Sequence, residues 1–100
     1  MRQAGDLDQH LVKLRQHMPE LEKRFRVRSL GVFGSYVHRQ QKPGSDLDLL
    51  VSFEELPSLF GFLALENYLS DLLGLKVDLV MADALKPRIG ARILREVVPV

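Results

Sequence analysis

The chain has no cysteine and only three histidines, His10, His17 and His38, in its 100 residues. Disulfides and thiolate zinc sites are therefore excluded, and the histidines are too scattered to build a metal site among themselves. Excess charge is lacking too: 14 basic residues against 13 acidic ones leave a net +1, with no long basic stripe. Strong electrostatic binding to DNA or RNA is not expected from that balance. No apolar run approaches membrane-spanning length, and the opening Met-Arg-Gln-Ala-Gly-Asp lacks the apolar core of a secretion signal. These absences make a soluble cytoplasmic protein without a membrane partner the expectation. What is present, 46% hydrophobic and 27% charged residues, suits one small globular domain over residues 1–100. Such a domain hides about two-thirds of its unfolded surface, an adequate core that a partner could support.

Leu7, Leu11, Leu14, Met18, Leu21 and Phe25 recur at intervals of four and three, the period of an amphipathic helix. Pro19 falls inside that run, so the pattern predicts two abutting helices, 6–17 and 19–25. β-Branched and aromatic residues over 27–33 predict a first strand, and Ser35 a cap for a short helix over 36–41. Pro43-Gly44-Ser45 turns the chain into a second strand over 46–53. Pro57-Ser58 opens a long helix that Gly74 closes. Leu59, Phe62, Leu63, Leu65, Leu69, Leu72 and Leu73 make its apolar half, with Phe60 on the opposite side. A third strand over 75–81 follows, then Asp83 as the cap of a last helix over 86–97. Strands alternating with helices predict an α/β or α+β domain, a small mixed sheet with flanking helices.

The informative residues are three aspartates in apolar strand contexts. Gly34-Ser35 ends the first strand, ten residues follow, and Asp46-Leu47-Asp48 opens the second; Asp78 lies within the third. Strand alternation puts Asp46 and Asp48 on one face, about 6.5–7 Å apart between Cα atoms. Carboxylates that close, beside leucines and valines, repel each other and resist desolvation unless cations neutralise them. Hard oxygen donors without histidine favour Mg²⁺ over zinc. Two such ions, held mostly by Asp46 and Asp48, would clamp a nucleoside triphosphate for an in-line displacement. Asp78 would bind the metal nearer the acceptor and help deprotonate the incoming hydroxyl. Gly34 lets backbone approach a ligand, and the turn at Ser35 offers unpartnered N–H groups to phosphate. The implied reaction is nucleotidyl transfer. An isolated Asp-x-Asp is more often a cap, a turn or a solvated strand edge; its fixed spacing from Gly-Ser, with a third strand aspartate, argues against those readings.

Gly34-Ser35, ten residues, then Asp46-x-Asp48 is the signature of the DNA polymerase beta-like nucleotidyltransferase superfamily. Nearly the whole chain resembles its minimal nucleotidyltransferase (MNT) domains, from Met18-Pro19-Glu20-Leu21 to the segment at Leu85-Lys86-Pro87-Arg88. The resemblance implies a nucleotidyltransferase fold and the antitoxin half of a HEPN/MNT toxin–antitoxin pair. AMP would pass from ATP, with Mg²⁺, to a hydroxyl of the HEPN toxin, typically a tyrosine. It also implies that Gly34 and Ser35 hold the triphosphate, that Asp46 and Asp48 bind metal, and that Asp78 completes the triad. The chain departs from the family pattern after Ser35, where Val37 and Arg39 replace a small residue and a glycine. A different helix end, or His38 and Arg39 turned to the phosphates, are the two expectations there. A non-catalytic antitoxin that neutralises by binding, or a nucleotide-sensing subunit, are the competing functions.

The remaining features read as structural. Lys23, Arg24, Arg26 and Arg28 suit a solvated helix end and strand start, as do His10 and His17 a helix surface. Glu66 suits a stripe edge or a pairing with a nearby base, and Arg88, Arg92 and Arg95 a solvated face. Phe60 and the tail Val97–Val100 suggest either a protein interface or closure of the domain's own core.

Overall fold

The computed structural model describes residues 4–38, 40, 42 and 44–100. Helix α1 (Ala4–Phe25) is followed by strand β1 (Val27–Phe33), a 3-10 turn at Gly34–Tyr36 and strand β2 (Leu47–Phe53). Helix α2 (Leu59–Leu73), strand β3 (Val77–Met81), a second 3-10 turn at Ala82–Ala84, helix α3 (Pro87–Glu96) and strand β4 (Val98–Pro99) complete the chain. The strands lie in the order β3-β2-β1-β4. β1 is antiparallel to β2 and β4, while β2 and β3 run parallel, so the sheet is mixed.

One core joins the two long helices to one face of the sheet. Leu11, Leu14 and Leu21 of α1 meet Leu65, Leu69 and Leu73 of α2 over Leu30, Val32, Leu47, Leu49, Val51, Val77 and Leu79. A register shift between Val27 and Ser29 lets both Val27 and Leu30 point inward, which strict alternation forbids. The helix α2 begins where the sequence predicts: Ser58 Oγ accepts from the Gly61 N–H at 3.1 Å. It ends on Gly74, left-handed at φ +73. No helix among the described residues is long and apolar enough to cross a membrane.

Three expectations change, and one left open is decided. α1 is continuous through Pro19, because Leu14 and Leu21 on either side are both fully buried in one core while Pro19 faces solvent. Packing of the apolar face outweighs the single lost backbone bond. Asp83 sits inside the 3-10 turn and does not cap α3; Lys86 occupies that N-cap position, and Pro87 begins the helix. Leu59 and Leu63 are 70% and 43% exposed, outside the buried half of α2. Successive helical residues turn by about 100°, which sets these two on the flank of Glu66 and Ser70, beside the sheet edge. The tail closes the domain's own core: β4 pairs with β1, and Val98 and Val100 pack against the buried cluster. Phe60 is 83% exposed, on the solvent side of α2 as its position predicts.

Candidate active site

The polar end of the sheet is set by register. Phe33 pairs with Asp48 across β1 and β2, so the chain leaves β1 at Gly34 beside that carboxylate. Asp48 in turn pairs with Asp78 across the parallel strands. Gly34 adopts φ +82, and a Cβ there would overlap the Asp48 carboxylate. Glycine is required twice over, for the backbone angle and for the space.

The Asp48 carboxyl, beside that of Asp78, is pushed up from 3.8 to about 6. Its partial burial is the main cause, followed by the charges of Asp78 and Asp46. Asp46 lies just ahead of β2, with Oδ2 3.9 Å from Lys76 Nζ. The structure thus brings Asp48 and Asp78 together and keeps Asp46 near enough to act on Asp48 by charge. Among the described residues, no three histidine, aspartate or glutamate side chains are grouped so as to hold a metal ion together. A carboxylate whose ionisation is opposed by two neighbouring carboxylates belongs to an oxygen donor set lacking countercharge. That chemistry fits a hard divalent cation.

Ser35 lies within the 3-10 turn and is not its cap; its carbonyl accepts from the Gln40 N–H at 2.8 Å. Of the helix expected over 36–41, the described residues hold a 3-10 turn at Gly34–Tyr36, closed by Val37 and His38 N–H groups on the Gly34 carbonyl at 3.1 and 3.2 Å, and positions 39 and 41 lie outside the described residues. Val37, which takes the place of a small residue, packs against the core. His38 Nε2 lies 3.3 Å from Glu96 Oε2 at the end of α3. Arg39, the other residue considered for phosphate contact, lies outside the described residues.

The other candidates resolve into ordinary contacts. Arg26 and Arg28 pair with Glu55 and Glu54 at 3.7 and 3.3 Å, and Arg24 lies over the Phe25 and Tyr68 rings. His10 is half-buried, edge-on to Tyr36, and His17 Nδ1 contacts the Lys13 carbonyl at 2.9 Å. A cavity of about 310 Å³ under Arg24, Phe25, Glu55 and Pro57 lies at the opposite end of β1 and β2 from the carboxylates. Sequence reading missed what Glu66 and Ser70 do: they accept from the Leu79 and Val77 N–H groups. Their spacing of four residues on the helix preceding Asp78 was the available signal.

The profile of the family described as Polymerase beta, Nucleotidyltransferase matches residues 15–100. The chain belongs to this nucleotidyltransferase family. Protein adenylyltransferase MntA of Thermococcus cleftensis is 58% identical over 85 residues, 85% of this chain and 86% of that protein. A solved structure provisionally assigned as a minimal nucleotidyltransferase superposes with a TM-score of 0.76 at 38% identity, covering 90% and 92% of the two chains. The structure of a tri-AMPylated Shewanella oneidensis HEPN toxin with its MNT antitoxin gives a TM-score of 0.60 at 18% identity, covering 98% of this chain and 71% of the other. That last likeness speaks for the fold. The nucleotidyltransferase fold that the resemblance implies, and the enzyme class that the Gly34-Ser35 and aspartate pattern implies, are both borne out.

Proposed function

We propose that this chain, as one domain over residues 1–100, is a Mg²⁺-dependent protein adenylyltransferase that moves AMP from ATP onto a tyrosine hydroxyl of a HEPN toxin, and so acts as its antitoxin. The observation that carries the reading is the Asp48–Asp78 carboxylate pair, in register on adjacent strands and pressed against Gly34. The name of the 58% identical relative supports the substrate class.

Asp46 and Asp48 would hold Mg²⁺, with Asp78 as the ligand toward the acceptor. Bound there, the metal supplies charge neutralisation for the triphosphate and for the attacking and leaving oxygens. The side-chain-free Gly34 admits the phosphates close to the Asp48 carboxylate. Ser35, whose hydroxyl has no hydrogen-bond partner among the described residues, is free to bind a phosphate oxygen. Asp78 is exposed and accepts the proton as the phenol attacks the α-phosphorus. A phenolic O–P bond forms, the α–β phosphoanhydride bond breaks, and pyrophosphate leaves.

The test is transfer of label from α-labelled ATP to the HEPN partner with Mg²⁺, using the parent chain and Asp48→Asn. Label on the partner with the parent chain, and none with the variant, supports the proposal. Neutralisation of the toxin by Asp48→Asn as complete as by the parent, with no label moved, overturns it in favour of an antitoxin that works by binding.

A further inference from the structure

We infer that Glu66, with Ser70, is a positioning residue that holds the edge strand carrying Asp78 in the register its carboxylate needs. The inference rests on the proposed role of Asp78 as a metal ligand. β3 is an edge strand of the sheet and only five residues long, the kind of strand that frays easily. On its inner side it is paired with β2, where the Leu47 N–H donates to the Lys76 carbonyl at 2.9 Å. Its outer side would leave the N–H groups of Val77 and Leu79 without strand partners. Ser70 Oγ and Glu66 Oε2 take them instead, each at 3.0 Å.

The match is geometric. Four residues of helix rise about 6 Å, and two residues of strand about 6.6 Å. α2 and β3 are joined by the left-handed Gly74 and run in opposite directions, so Ser70 meets Val77 and Glu66 meets Leu79. Asp78 is the residue between the two clasped amides, and it faces away from the core while Val77 and Leu79 are buried. Its position opposite Asp48 is thereby fixed from both sides of the strand. A partner that orients a metal ligand commonly changes metal affinity by about 10–100-fold when removed. Glu66 acts on Asp78 through the backbone, by holding the neighbouring Leu79 amide.

Amide exchange by NMR on the metal-free chain tests the clasp. Glu66→Leu is expected to speed exchange at the Leu79 amide about tenfold, the worth of one hydrogen bond. Glu66→Gln, whose amide oxygen still accepts, is expected to stay near the parent. Mn²⁺ titration, followed by paramagnetic broadening of the Asp78 amide, tests the consequence. Half-broadening in Glu66→Leu is expected at about tenfold higher Mn²⁺, against about the parent value in Glu66→Gln. A purely structural role would lower stability and leave the Mn²⁺ affinity of the folded chain unchanged. Equal loss in the Leu and Gln variants, full protection of Leu79 in Glu66→Leu, or no Mn²⁺ binding by the parent would each overturn the inference. If Glu66→Leu does not fold, Ser70→Ala reads the same clasp at the Val77 amide. Failure of AMP transfer by the parent chain would count against the proposed enzyme and leave both readouts intact.

Discussion

Asp48 on β2 lies in register with Asp78 on the neighbouring parallel strand β3, which sets one carboxyl group against the charge of the other. The charges of Asp78 and Asp46 both oppose ionisation of Asp48, so a cation bound beside the pair relieves a repulsion built into the fold.

The pH dependence of stability follows from that pair. The Asp48 carboxyl titrates at about 6 in the folded chain against 3.8 for the free side chain, so the folded state holds the proton more tightly. Its contribution to stability is full below 3.8 and is lost as pH rises through about 6. In divalent-free buffer, the stability of Asp48→Asn relative to the parent is expected to climb across that window and then level. Asp48 is only half-buried, so solvent screening keeps the gain modest. Mg²⁺ at pH 7.5 is expected to stabilise the parent and leave Asp48→Asn unchanged. Urea denaturation from pH 4 to 8, with chelator and with Mg²⁺, checks both; a flat difference between the two proteins contradicts the assignment.

Gly34→Ala tests how tightly the turn and the carboxylate fit. The new methyl would meet the Asp48 carboxylate, and the residue would keep a φ of +82 that side chains disfavour. The expected stability cost is about 1–2 kcal/mol. Displacing Asp48 by about 1 Å is expected to slow AMP transfer about 100-fold. Denaturation and labelled-ATP transfer measure the two effects separately. A normal rate in a destabilised variant would mean that Asp48 can shift without loss of chemistry.

The site was more legible than the fold around it. The Gly34-Ser35 turn and the Asp46-x-Asp48 pair were readable because their spacing is local; Asp78 was readable only as an aspartate within a strand-like run, and strand register then carries Phe33, Asp48 and Asp78 to one end of the sheet. Secondary structure with local signals was readable for the same reason, as at Ser58 and Gly74 around α2. Decisions made by tertiary packing were not. Pro19 reads as a helix break until the core on both sides of it is known, and Leu59 reads as core until the narrow sheet leaves it uncovered. Glu66 looked like a stripe-edge residue because the amide it accepts from belongs to a strand thirteen residues away.

Pro19→Ala turns the first of these into a measurement. The proline has no N–H for the helical bond to the Arg15 carbonyl, and it sits on the exposed face of α1. Alanine restores that bond and is favoured by up to about 3 kcal/mol inside a helix. The greater freedom of the unfolded alanine chain offsets about 0.4–1 kcal/mol. A net gain of about 2 kcal/mol is expected, seen as a rise in Tm of several degrees. An unchanged Tm would mean that the helix already accommodates Pro19 without strain.

Arg26 supplies the converse case, a side chain where the backbone asks for glycine. It links α1 to β1 at φ +61, and its carbonyl accepts from the Glu54 N–H at 2.8 Å, so the turn is anchored in the left-handed region. For a residue with a Cβ that region costs about 1–2 kcal/mol. Arg26→Gly removes this cost and gives back part of it as unfolded-chain entropy. The lost ion pair with Glu55 joins two exposed groups and is worth about 0–1 kcal/mol. The expected balance is a gain of about 0.5–1 kcal/mol. Arg26→Val loses the same ion pair and adds a branched Cβ at the same angle, so it is expected to destabilise by about 1 kcal/mol or more. Thermal denaturation of the two variants separates the causes. If Gly and Val lower Tm equally, the Arg26 side chain and not the backbone angle governs this junction.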